Sequence, residues 1–593
     1  MVNTQQTITI PPRPSLWNPK TVWGLAVVAA LALAAYQAGL GRPGVDLINL
    51  GGWPQLREFL AAALHPDLSA EFVALMGRAA LVTLAYAVLG TALSVGLGLV
   101  GGLLSSAVWW QTVWPRDPWG LGRGLWLGVR GLLAFPRAIH ELIWGLVLLQ
   151  VLGLNPLVGV LAIAIPFGAI VSKVFSEILD ETPQAPLKAL LNAGVPPLSA
   201  FAYSLVPQAL PNLLSYTFYR FECSLRSSAV LGIVGAGGLG YEIFLSLQSL
   251  RYEQLWTGFY ALVILNGAVD VWSGVVRRRM GFTSRLDINR QPGDKTHLSP
   301  LTHLSPLAHL SPLKAPRQDW LLRLSWMGAI LALPLSGWFL RLDITSLWAP
   351  RTQRLLGDLL GTGLPPLPSL AELANLANLA WLTVAMSMVA IALAGLFGLI
   401  FSLPAAQNFL LPGGLLRPIG QNGGQNGGFA LGAYALLVLS RLVLLVSRAI
   451  PAPIWALVLL YVLFPGVLPG ALALALHNFG ILGRLMAEVN ENLDDRPVRA
   501  LSALGASPIA VVAYGIWPQN LGRFLAYILY RWEVCLRETV IVGLVGAGGL
   551  GRLLTEQISS FDYSGVTVTL AVFVALTFAV DAVSQQLRGV LRE

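Results

Sequence analysis

Residues 219–240 read YRFECSLRSSAVLGIVGAGGLG and residues 530–551 read YRWEVCLRETVIVGLVGAGGLG, so one unusual segment occurs twice, 311 residues apart. Arg220, Glu222 and Arg226 recur as Arg531, Glu533 and Arg537, and the run Gly235–Gly240 recurs letter for letter as Gly546–Gly551. The same offset carries Gly194 onto Gly505, Pro207-Gln208 onto Pro518-Gln519 and Asp270 onto Asp581. A second register, offset by 300, takes Thr83 to Thr383 and Gly98 to Gly398, so eleven residues are inserted between the registers. A period this long excludes a short-repeat solenoid and means one domain duplicated head to tail.

The domain belongs in a membrane. Fifty-five per cent of residues are hydrophobic and 11% charged, against roughly a quarter charged in soluble domains. Runs such as 80–104, 256–276 and 374–402 reach the ~20 residues that cross a bilayer. The first apolar run, 21–40, lacks a small-residue cleavage site and is expected to stay as a span. The net charge of +9 is concentrated at the ends of apolar runs, in Arg277, Arg278 and Arg279 and in Arg588 and Arg592. That distribution is the positive-inside pattern of cytoplasmic loops, not a nucleic-acid surface. Cys223 and Cys535 are not equivalent positions and imply neither a disulfide nor a metal site.

Six spans are expected in the first copy, near 21–40, 79–104, 131–154, 156–176, 206–232 and 254–276. The second repeats them near 321–341, 375–402, 442–465, 466–487, 517–543 and 564–587. The predicted fold is therefore all-α and integral to the membrane, with about twelve spans. An even count keeps both termini cytoplasmic and makes the copies parallel, related by a pseudo-twofold axis along the membrane normal. The domains are expected at 1–287 and 319–593, joined by a low-complexity linker, 288–318. Its six-residue repeat spaces His297, His303 and His309, but a Pro-containing tether explains it better than a metal site. QNGGQNGG (Gln421–Gly428) is a second slipped repeat.

Three constellations carry function. The first is the loop between spans four and five, KALLNAGVPPLSAFAYSLVPQ (Lys188–Gln208) and RALSALGASPIAVVAYGIWPQ (Arg499–Gln519). Ala189-Leu190 and Ala500-Leu501 favour helix, Gly194 and Gly505 end it, and Pro207 and Pro518 start the next. This resembles the EAA loop of ABC-transporter permeases, with the leading E-A-A degenerate and the Gly-to-Pro spacing intact. The second is the fifth span. Arg220 falls thirteen residues after Pro207, about 20 Å along a helix and near the midplane of a ~30 Å core. Ionisable groups there are functional by default; Glu222–Arg226 and Glu533–Arg537 are also placed to pair at i,i+4. In the second copy Glu538 replaces Ser227, so the two sites differ in charge. The third is the glycine run: Gly235, Gly237, Gly238 and Gly240, with Gly546, Gly548, Gly549 and Gly551. No strand precedes it, so close helix packing or a broken helix is expected in place of dinucleotide binding.

Arg130 and Arg137, matched by Arg441 and Arg448, fit snorkelling side chains at a span end. Lys173–Glu177 and Arg484–Glu488 form i,i+4 pairs, and Asp270-x-x-Ser273 and Asp581-x-x-Ser584 are expected to cap or pair near the interface. Together the loop, Tyr-Arg-x-Glu followed by Leu-Arg, and V-G-A-G-G-L-G resemble the phosphonate-type permeases of ABC importers. Arg-Ala-Ile at 137–139 and 448–450 also fits. The resemblance implies a tandem type I permease importing phosphonate, phosphite or phosphate across a bacterial inner membrane. It implies an external substrate-binding protein and two cytoplasmic ATPase subunits docked on the loops. No Gly-Lys dipeptide occurs in the chain, so no Walker A loop does, and ATP would be used by the partners. The mid-membrane arginines, Arg220 and Arg531, suit an oxyanion. The alternatives are an ABC permease for another small solute, or an ion-gradient-driven transporter with parallel repeats. The latter needs a membrane carboxylate of its own, for which Glu141, matched by Ala452, is the main candidate.

Overall fold

A computed structural model describes residues 19–40, 42, 46–114, 120–280, 320–361, 368–411, 414–415 and 427–592. The 288–318 linker and residues 421–426 lie outside them. The first copy contributes α1 (Pro19–Gln37), α2 (Trp53–Ala62), α3 (Ala70–Ser105), α4 (Leu121–Ala138), α5 (Glu141–Leu152), α6 (Pro156–Glu181), α7 (Ala185–Asn192), α8 (Val206–Leu231), α9 (Leu239–Gln248) and α10 (Tyr252–Arg279). The second repeats the series as α11 (Trp320–Phe339), α12 (Pro350–Gly361), α13 (Leu370–Ala405), α14 (Gly427–Ala449), α15 (Ala452–Leu459), α16 (Val467–Glu491), α17 (Asp495–Ala503), α18 (Trp517–Val542), α19 (Gly549–Ser559) and α20 (Tyr563–Arg592). Each helix thus has its counterpart ten numbers on.

Among the described residues eight helices, α3, α6, α10, α11, α13, α14, α16 and α20, are long and apolar enough to cross a membrane singly. The α4–α5 pair qualifies jointly as a span bent by 86°. Helices α8 and α18 complete the set, with Arg220, Glu222, Arg531 and Glu533 buried, and α1 is a shorter apolar helix. The twelve expected spans are therefore all helical. The third span, expected near 131–154 and 442–465, is broken within its length. In the second copy Pro451 (φ −63°, ψ 149°) breaks the chain between α14 and α15, because proline has no N–H and excludes helix in the residue before it. In the first copy His140 holds the same extended conformation (φ −67°, ψ 147°). Its Nδ1 accepts the Leu142 N–H at 3.2 Å, capping α5.

Small residues set the closest crossings. In the α3–α6 pair a Cβ on Gly98 would lie 2.2 Å from Val171 Cγ1, and one on Gly102 would lie 2.7 Å from Phe175 Cβ. Gly398 marks the equivalent crossing of α13 and α16, where a Cβ would lie 3.2 Å from Gly483 N. The first spans are exchanged between copies. Helix α1 packs on α13 and α20, and α11 packs on α3 and α10. Accordingly Ala34 and Ala38 belong to the second copy's core, whereas Leu340 and Leu342 join the first copy's. Trp272 Nε1 of α10 donates to Ser325 Oγ of α11 at 3.3 Å. At the far end Asn49 N–H donates to Val462 O at 2.7 Å and Phe464 N–H to Leu47 O at 3.3 Å, pairing backbone across the copies. Hydropathy alone carries no trace of this exchange.

The glycine run breaks the fifth span. After a π-helical turn (Gly232–Ala236), Gly237 and Gly238 take φ of 82° and 78°, and α9 turns back beside α8. A Cβ on Gly240 would sit 1.8 Å from Ala229 O, and one on Gly551 would sit 2.7 Å from Val540 O. The run is tied to the second span by Thr83 Oγ1, which accepts Leu239 N–H at 2.9 Å; Thr383 accepts Leu550 N–H at 3.0 Å. The two repeat registers of the sequence meet at these threonines. Gly240→Ala should therefore cut the yield of monodisperse extracted protein severely, because a carbonyl cannot give way as a side chain can. Gly194→Ala, whose Cβ meets nothing within 4 Å at φ 81°, should cost only the ~1–2 kcal/mol of left-handed strain. Size-exclusion chromatography of tagged variants compares them, and equal yields would contradict this packing.

Candidate functional site

The ends of the fifth spans meet at the seam between the copies, where Val230 and Ile541 pack together with Leu142. Arg220 lies eleven residues before the end of α8 at Leu231, about 16 Å along the axis. It is only 6% exposed. Its Nε and Nη2 donate to Tyr216 Oη at 2.8 and 2.5 Å. The guanidinium carbon stands 5.1 Å from the Phe167 ring, 5.1 Å from Tyr216 and 5.7 Å from Tyr219. Aromatic faces stabilise a cation without cancelling its charge.

Arg531, its counterpart on α18, is held differently. Asn478 occupies the position equivalent to Phe167, and its Oδ1 accepts Nε at 2.8 Å and also Nη2. Nη2 pairs with Glu538 Oε1 at 3.0 Å, and Asn478 Nδ2 donates to Glu538 Oε2 at 2.9 Å. In the first copy Ser227 stands where Glu538 does and donates to Glu141 Oε1 at 2.6 Å. Glu141, open in the sequence, is therefore engaged by Ser227. Each copy buries one such carboxylate, supplied from a different helix.

The expected i,i+4 pairs within the fifth spans are replaced by pairs between helices. Glu222 Oε1 accepts Ser273 Oγ at 2.7 Å and lies 3.6 Å from Arg277 Nη2 of α10. Glu533 Oε1 lies 2.7 Å from Arg588 Nη1 of α20. Arg226 and Arg537 turn instead to the backbone carbonyls of Glu222 and Glu533, at 3.4 and 3.3 Å. The carboxylates point at the sixth span, so they meet its closing arginines before their helical neighbours. Those arginines, legible as orientation signals, thus also fasten α8 to α10 and α18 to α20.

Other charges cross the seam. Arg448 Nη2 of α14 meets Asp270 Oδ2 of α10 at 2.6 Å, so this arginine is not a snorkelling side chain. Glu222, Arg226, Asn266, Asp270 and Arg448 line a small cavity beside the pair. On the opposite side Arg537 Nη1 donates to Arg137 O at 2.8 Å. Asp581 Oδ1 is buried there without a hydrogen-bond partner. Leu142, Val230 and Ile541 close the seam with an apolar cluster. Arg441 bonds Glu491 at 2.5 Å and Ala405 O at 3.0 Å, whereas Arg130 stacks 4.6 Å from the Trp126 ring. Lys173–Glu177 and Arg484–Glu488 pair at 3.8 and 2.8 Å. Among the described residues no group of three or more His, Cys, Asp or Glu is placed to hold a metal ion.

The loops between the fourth and fifth spans project from one end. Helix α7 closes with Gly194 N–H to Leu191 O at 3.0 Å and Val195 N–H to Leu190 O at 3.1 Å, a Schellman cap at φ 81°. Helix α17 closes identically through Gly505 to Ser502 O and Ala506 to Leu501 O, both 3.1 Å. Pro207 and Pro518 sit in the first turns of α8 and α18, as their missing N–H allows. Each loop exposes an aliphatic residue and a tyrosine at matched positions: Leu198 and Tyr203, Ile509 and Tyr514. The tyrosines are 82% and 77% exposed. Sequence reasoning missed them, although Ala-Tyr recurs in both loops.

Two six-span copies, meeting along charged fifth spans and presenting matched apolar-tipped loops, define a duplicated membrane permease. Residues 122–281 and 430–590 match the family model described as the binding-protein-dependent transport system inner membrane component, and the chain belongs to that family once in each half. It is 26% identical over 460 residues, 78% of this chain and 77% of the relative, to the phosphate-import permease protein PhnE of Mycolicibacterium smegmatis. It is 33% identical over 253 residues, 42% of this chain and 86% of the relative, to the phosphite transport system permease protein PtxC of Stutzerimonas stutzeri. No solved structure matches the chain.

Asp270 and Arg448 form a partly buried pair, with side chains 25% and 15% exposed, and removing one partner leaves the other charge uncompensated inside the bundle. Asp270→Ala should therefore lower the thermal midpoint of the purified permease clearly, and the exchange Asp270→Arg with Arg448→Asp should recover part of the loss. An unchanged midpoint in the single variant would show that the pair holds nothing together.

Proposed function

We propose that this one chain forms the whole membrane pathway of an ATP-driven importer for a phosphorus oxyanion: a phosphonate, phosphite or phosphate. The observation that carries this reading is a pair of fifth spans that bury arginine at a seam between two copies of one permease domain. Guanidinium is permanently charged and matches the oxygens of such anions. The names of the relatives point to the same chemistry. Arg220 and Arg531 mark the pathway; Glu222, Arg226, Glu533 and Arg537 brace it, and the glycine runs seat the fifth spans against the second. The loop end faces the cytoplasm of a bacterial inner membrane with both termini. There Ala189, Leu190, Gly194 and Pro207, with Ala500, Leu501, Gly505 and Pro518, frame the docking of two ATPase subunits. An external binding protein delivers the substrate at the opposite end.

The test is ATPase activity of the chain in lipid with its ATPase subunit and binding protein. Stimulation by binding protein loaded with one of these anions supports the reading. Uptake driven by an imposed ion gradient without any ATPase would overturn it. Tyr203→Ala with Tyr514→Ala should cut the stimulated rate at least about tenfold, since two buried aromatic anchors at an interface are worth ~1–2 kcal/mol each or more. Uptake should fall in parallel while the permease remains in the membrane at normal abundance. A stimulated rate at the wild-type level would remove the loops from the docking surface.

A further inference from the structure

The pseudo-twofold relation of the copies suggests two equal cationic stations, one at each fifth-span arginine. Three exchanges at equivalent positions undo that equality: Phe167 for Asn478, Ser227 for Glu538 and Glu141 for Ala452. Nε and Nη2 of Arg531 are both bonded, and its charge is met by Glu538 at 3.0 Å. An anion approaching Arg531 would face the Glu538 carboxylate as well, at low dielectric where like charges repel most strongly.

Arg220 differs in each respect. Its three ring neighbours are uncharged, and no carboxylate among the described residues lies within ion-pair distance of it. Its Nη1 makes no hydrogen bond to a described residue. Tyr216 Oη accepts both of the bonds that Arg220 donates, which leaves its own O–H free to donate. Tyr216 is itself buried, at 7% exposure. Tyr216 Oη occupies the Nε/Nη2 edge of the guanidinium, so Nη1 and the phenolic O–H remain as donors on residues one helix turn apart, a donor set that suits a tetrahedral oxyanion.

Resting on the function proposed above, we propose that the permease holds a single anion station, built from Arg220 and Tyr216. Arg531 is then a strut, neutralised by Glu538 and held in place by Asn478. Occupancy alternates at one point in the pathway, and the first copy supplies it.

The experiment is initial uptake of phosphite, methylphosphonate, phosphate and sulfate into vesicles holding the complete complex. Binding-protein-stimulated ATPase serves as the assembly control. Arg220→Ala should lower uptake at least about tenfold with stimulated ATPase retained, and Arg220→Lys should restore part of it. Tyr216→Phe, which removes only the free hydroxyl, should lower uptake about threefold and raise the half-saturating anion concentration. Arg531→Ala combined with Glu538→Ala deletes the neutral pair and should lower uptake clearly less than Arg220→Ala does, without raising the half-saturating anion concentration. The single station is overturned if the double variant loses as much as Arg220→Ala, or if Arg220→Ala and Tyr216→Phe both transport normally. Uptake of sulfate alone by the wild type would sink the phosphorus reading, yet the comparison of variants would still decide the station. A wild type that carries none of these anions overturns both.

Discussion

Burying an arginine within a bundle of membrane-spanning helices is the constraint around which this structure is built. A charged group there costs several kcal/mol unless it is paired, caged or open to water. The two copies inherited the same arginine and meet the cost in different ways. The first surrounds Arg220 with aromatic faces and a phenol oxygen; the second cancels Arg531 with Glu538. One duplicated scaffold therefore carries a free charge on one side and a neutral network on the other. A homodimer of a single domain could not do this, because any substitution would appear on both sides at once.

The remaining charges bind the scaffold together around that centre. Glu222 and Glu533 tie the fifth span to the sixth, and Asp270–Arg448 crosses between copies. The glycine runs bring the fifth span's backbone onto the second span, where Thr83 and Thr383 satisfy its turning N–H groups. Exchange of α1 and α11 then gives each bundle a helix from the other copy. The halves are interleaved, and the linker joins domains that already share helices.

What the sequence made legible was local. Gly194 and Pro207 define a cap and a helix start through their own backbone chemistry, so the loop could be read from spacing. The Thr83–Thr383 offset likewise marked a real contact, although its partner in the glycine run could not be identified from periodicity. Long-range pairing was not legible. Glu222 has an arginine four residues on along its own helix and another on α10, and only packing decides between them. Arg448 resembled an interfacial residue because its partner, Asp270, lies in the other copy. Glu141 looked unpaired because Ser227, a residue of no special sequence signal, is its donor. The break in the third span was visible at Pro451 but not at His140, which adopts the same conformation for a capping reason.

If both halves of one pathway reside in one chain, a single copy must suffice for a working complex. Native mass spectrometry of the purified, transport-active assembly measures this directly. The account predicts one 63.5 kDa chain with two ATPase subunits. An active assembly containing two copies of this chain would place the pathway between chains, and the seam described here would not be the route.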